Sequence, residues 1–99
     1  MKAQIKLTRT MLEKAIIDAN TSVREFALSE NVDFTDMVSG DRYQLAAFFA
    51  DGSETVINLY KTNNARGDRR ISIKGIKKHF KAGDILTIEV INNQIQIRG

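Results

Sequence analysis

Tyr43-Gln44-Leu45-Ala46-Ala47-Phe48-Phe49-Ala50-Asp51-Gly52-Ser53-Glu54-Thr55-Val56-Ile57-Asn58-Leu59-Tyr60 places two apolar runs either side of an Asp-Gly step. Aspartate and glycine tolerate the positive φ of a tight reversal, so the stretch predicts a β-hairpin of Tyr43–Phe49 against Glu54–Tyr60. Downstream the same period continues. Arg69 to Lys74 alternates Ile71 and Ile73 inward with Arg70, Ser72 and Lys74 outward. Ile76 and Phe80, four residues apart, predict one or two helical turns with one buried face. Gly83-Asp84 then turns the chain into a strand over Ile85–Ile91, and Asn92-Asn93 turns it again into Gln94–Arg98.

Upstream of the hairpin the signals are mixed. Ala3 to Leu7 alternates apolar and polar and reads as a short strand. Thr10-Met11-Leu12-Glu13 has the form of a capping box, followed at helical spacing by Leu12, Ala15, Ile16 and Ala19. Glu13 to Ala19 also reads as a strand, because seven residues do not separate the two periods. A second box, Ser22-Val23-Arg24-Glu25, opens a helix with Val23, Phe26 and Ala27 on one face, ending near Asn31. Asn31 to Arg42 reads as a polar loop. The expectation is an α+β, mainly β fold: short antiparallel strands curled round one core, with two or three short helices.

The chain has 99 residues, 42% hydrophobic and 27% charged, which is the size and composition of a single globular domain over residues 1–99. The absence of cysteine excludes disulfides, thiolate zinc sites and thiol nucleophiles, and fits a reducing compartment. No apolar run reaches about 18 residues and the start Met1-Lys2-Ala3-Gln4 is polar, so neither a transmembrane helix nor a signal peptide is expected. A cytoplasmic protein without membrane contact is the expectation.

Little in the chain points to catalysis. His79 is the one histidine and has no sequence-local carboxylate to orient it. Asp33, Asp36 and Asp41 cluster, yet their spacing matches no EF-hand. Glycine-rich phosphate loops, nucleophile elbows and His-Glu-x-x-His helices are absent. The expectation is therefore a non-catalytic protein without cofactor or metal.

Charge carries more information. Between Lys61 and Lys81 there are eight basic residues and one acid; between Glu13 and Glu54, three basic residues and nine acids. Such polarity attracts a polyanion to one face and repels it from the other. Within the basic segment, Lys61, Asn63, Asn64, Arg66, Arg69 and Arg70 form a polar loop between strands. Asn64 and Arg66 are the base-reading candidates, since arginine forks onto guanine and asparagine onto adenine. Lys74, Lys77, Lys78 and Lys81, on or beside the short helix, would contact phosphates. Only Tyr60 adjoins the loop as an aromatic, which favours double-stranded DNA over a stacked single strand. An acidic protein partner on the same face is the competing expectation.

The order Gly52–Tyr60, polar loop, Arg70–Ile88 with Ala82-Gly83-Asp84 before the last strand resembles the DNA-binding pseudobarrel superfamily. This group includes the plant B-three domains and the effector domain of EcoRII-type restriction enzymes. The resemblance covers about half the chain. It implies an open seven-stranded pseudobarrel with two helices that grips the major groove with two arms. One arm falls on Lys61 to Arg70; the other, between the first two strands, falls near Lys6, Thr8 and Arg9. A helix over Met11–Ala19 would leave no second strand for that arm. Arg70 to Arg98 is also similar to the swapped-hairpin DNA-binding domains of AbrB-type regulators, which bind DNA as intertwined dimers. Gly75 stands where those domains usually carry proline, and their unit is much shorter than this chain.

Overall fold

The computed structural model describes residues 2–18, 27–29, 32–33, 37–62 and 68–99. In chain order the elements are β1 (Lys2–Lys6), α1 (Arg9–Lys14), β2 (Ile17–Asp18), β3 (Ala27–Ser29), β4 (Val32–Asp33), β5 (Arg42–Phe49), β6 (Glu54–Lys61), β7 (Arg69–Ile73), β8 (Ile85–Ile91) and β9 (Gln94–Arg98). A 3-10 turn at Ile76–Lys78 joins β7 to β8.

The β5–β6 hairpin forms where the sequence places it. The Gly52 amide donates to the Phe49 carbonyl at 2.9 Å, with Gly52 at φ 87. Asp51 Oδ1 accepts from both the amide (2.9 Å) and the hydroxyl (2.6 Å) of Ser53, which locks the reversal. The turn fixes the register: Arg42 lies opposite Tyr60, Gln44 opposite Asn58 and Ala46 opposite Val56. β7 continues the sheet antiparallel to β6, with Tyr60 opposite Arg70 and Asn58 opposite Ser72.

Seven strands form one open half-barrel in the order β1-β8-β9-β5-β6-β7-β2, and β3 and β4 form a separate pair. The coarse expectation, α+β and mainly β, holds. The all-antiparallel expectation is corrected, because β9 runs parallel to β5. The Asn92-Asn93 turn, both residues at positive φ, sets β9 antiparallel to β8, and its other edge meets β5 in the same direction.

The helix count is also corrected. Among the described residues there is one α-helix and one 3-10 turn. α1 is capped by Thr8 rather than Thr10: the Met11 amide donates to Thr8 Oγ1 at 3.2 Å. The helix ends at Lys14, where Ala15 adopts the left-handed conformation and its amide turns back to the Leu12 carbonyl. Ile17 then pairs with Ile71, so the ambiguous segment is helix first and strand afterwards. The expected helix through Ala27 is replaced there by β3, which pairs with β4; its capping box at Ser22–Glu25 lies outside the described residues. The expected loop over Asn31–Arg42 likewise contains β4.

The core fills the inner face of the sheet. Ile57, Leu59, Ile71, Leu86, Ile88 and Ile97 are almost entirely buried. These are the inward positions of alternating strands, while Asn58, Tyr60, Arg70 and Ser72 fall on the opposite face. Thr55, also buried, donates its hydroxyl to the Lys74 carbonyl at 2.6 Å and ties the start of β6 to the end of β7. Phe80 packs against this core beside buried Ile76.

Candidate nucleic-acid interface

The described basic residues divide into engaged and presented groups. Arg9 is held by Glu13 at 2.9 Å along the exposed side of α1. Arg70 lies 3.6 Å from Asp18 and 3.8 Å from Asp68, and its buried Nε makes no hydrogen bond among the described residues. Lys61 Nζ donates to the Met37 carbonyl at 3.2 Å, and Arg69 is half-buried opposite Lys61. Lys6 is exposed on β1, at the other end of the strand order from β7 and β2.

The loop between β6 and β7 is closed at its base, where the Thr62 amide donates to the Asp68 carbonyl at 2.8 Å. Asn63, Asn64 and Arg66 lie outside the described residues. Beyond the loop, Lys74, Lys77 and Lys78 are exposed around the 3-10 turn. They point outward because Ile76 points inward, as their spacing requires. Lys77 Nζ reaches the Glu13 carbonyl at 3.5 Å, at the end of α1. Lys74 and Lys78 have no acidic partner among the described residues, although Glu54 lies with them along the same depression.

The sheet adds residues that sequence reasoning missed. A groove of about 840 Å³ on the outer face of β5, β6 and β7 is lined by Lys14, Arg42, Gln44, Asn58, Tyr60 and Ser72. The Arg42 guanidinium lies over the Tyr60 ring, 5.1 Å from its centroid. A second groove, of about 510 Å³, is lined by Lys74, Lys77 and Lys78 and shares Ala15, Asn58 and Ser72 with the first. The two form one channel with cations at each end and an amide-and-hydroxyl floor. Period-two polarity flagged these floor positions as outward, but only the register brings them side by side.

His79 lies outside this channel, in the depression that Lys74 and Lys78 share with Glu54. Its ring stacks on Phe49 with centroids 3.7 Å apart, and Nδ1 lies 4.0 Å from Asp51 Oδ2. The Ser53 hydroxyl, then the Ser53 amide, hold the Asp51 carboxyl below the usual carboxylate range. Asp41 closes a turn by accepting the Val38 amide at 2.9 Å; the Asp33 side chain and Asp36 lie outside the described residues. No helix among the described residues is long and apolar enough to cross a membrane.

In comparisons with known proteins, no family model, no curated protein and no solved structure matched this chain.

Proposed function

We propose that this protein is a non-catalytic, double-stranded DNA-binding domain of pseudobarrel type that grips the phosphate backbone and the major groove. The observation that carries this reading is the group of exposed lysines, Lys74, Lys77 and Lys78, set around a short 3-10 turn at one end of a polar channel. Cations held this close repel one another, and a polyanion removes that cost. Asp18 and Asp68, the acids beside the start of β7, lie 3.6 and 3.8 Å from Arg70, which offsets part of their charge. The expected loop is shorter than residues 61–70, because Lys61 ends β6 and Arg69 and Arg70 open β7, and its Asn63, Asn64 and Arg66 supply the remaining contacts on the strength of the sequence.

The test is fluorescence anisotropy with a labelled mixed-sequence duplex over a salt series. Four or five phosphate contacts give a slope of log affinity against log salt of about −4. Lys74→Ala and Lys78→Ala each lower affinity for every duplex alike and flatten the slope by about one. Failure to bind any duplex at low salt overturns the reading and favours an acidic protein partner.

A further inference from the structure

Three outward side chains lie in line across the sheet: Gln44 on β5, Asn58 opposite it on β6, and Ser72 opposite Asn58 on β7. Adjacent strands are about 4.8 Å apart, so the row spans about 10 Å. Asn58 Nδ2 donates to Ser72 Oγ at 3.4 Å, which orients the amide within the row. Next along the strands comes an apolar pair, Ala46 opposite Val56. Cations stand at the two ends, Lys74 level with Val56 in the second row, and the outward row beyond it is Phe48 opposite Glu54. Arg42, over Tyr60, stands at one end and Lys14 lines the groove across from it; Lys74, whose amide bonds the Val56 carbonyl, stands with Lys77 and Lys78 at the other, where Lys77 reaches the Glu13 carbonyl beside Lys14. From the Arg70 row to Lys74 is four residues of extended chain, about 13 Å, close to the roughly 12 Å width of the major groove.

Resting on the DNA-binding reading above, we infer that the outer face of β5–β6–β7 is itself a base-reading surface, which enters the major groove between its two cationic rims. The amides of Gln44 and Asn58 offer the donor and acceptor pair that matches the adenine N6 and N7 edge, Ser72 hydrogen-bonds either kind of edge group, and Ala46 and Val56 meet thymine methyls. Strands laid in the major groove are an established mode of reading. Specificity then comes from the sheet, which α1 and the core hold fixed, and phosphate affinity from the rims.

The experiment selects preferred duplexes from a random pool with the wild-type protein and compares their affinity with that of a scrambled duplex. Asn58→Ala and Gln44→Ala are expected to leave affinity for the scrambled duplex within about twofold and to reduce discrimination about tenfold or more. Amide spectra of each variant confirm the fold. As a test that leaves the protein unaltered, replacing each adenine of the selected motif in turn with 7-deazaadenine, which lacks the N7 acceptor, lowers wild-type affinity at one or two positions. Absence of any binding to duplex overturns the DNA reading as a whole. Binding without a selectable motif, or a preference that survives both variants and every 7-deazaadenine substitution, overturns the sheet-reading inference alone.

Discussion

Gly75 lies between β7 and the 3-10 turn with φ 77, in the region that a side chain disfavours. An added Cβ there meets nothing within 4 Å, so the cost of Gly75→Ala is conformational rather than steric. The variant is expected to lose about 1–2 kcal/mol by urea denaturation, and a proline, fixed near φ −65°, does not fit the observed angle. Capping offers a sharper contrast. Thr8→Ala removes the bond to the Met11 amide and is expected to cost about 1 kcal/mol, whereas Thr10→Ala, inside an exposed helix, leaves stability nearly unchanged. In sequence the two threonines are hard to separate. Thr10 has a glutamate three residues on and matches the capping pattern, while Thr8 has Met11 there and wins because the chain leaves β1 at Lys6 and must turn at once.

At the scale of elements, local chemistry was legible and long-range pairing was not. The Asp51-Gly52 turn announces its own hairpin, and the Asn92-Asn93 turn does the same for β8 and β9. The division of Met11–Asp18 into helix and strand depends on Ile17 finding Ile71, 54 positions away, which no window of local pattern contains. The parallel junction of β9 with β5 has the same origin. Ile71 is the hinge of the β6–β7–β2 segment, opposite Leu59 on one side and Ile17 on the other, and it is fully buried. Ile71→Ala is expected to cost about 2–5 kcal/mol in chemical denaturation, with cavity formation adding to lost burial.

Across the whole molecule, the basic end of the site was legible because Ile76 and Phe80 bury one side of a short turn and leave the lysines outside. The Gln44, Asn58 and Ser72 row was not, since isolated polar residues at outward strand positions look like any solvated face until register aligns them. Away from the site, Glu89 accepts from Arg98 at 3.0 Å, and this bond holds its carboxyl below the usual carboxylate range. A depressed folded value means that the contribution is complete above the unfolded value and is lost as pH falls through the folded one. Thermal stability is therefore expected to decline on acidification through and below the carboxylate range, and Glu89→Gln to shrink that dependence.

On the proposed reading, duplex DNA lies along the outer face of β5, β6 and β7. The most direct test is a titration of isotope-labelled protein with a mixed-sequence duplex, recording backbone amide shifts at low and near-physiological salt. The expected result is a contiguous set of shifted amides over Arg42–Gln44, Asn58–Tyr60 and Ser72–Lys78, together with the loop between β6 and β7. Shifts confined to β1, β8 and β9, or none at low salt, would contradict it.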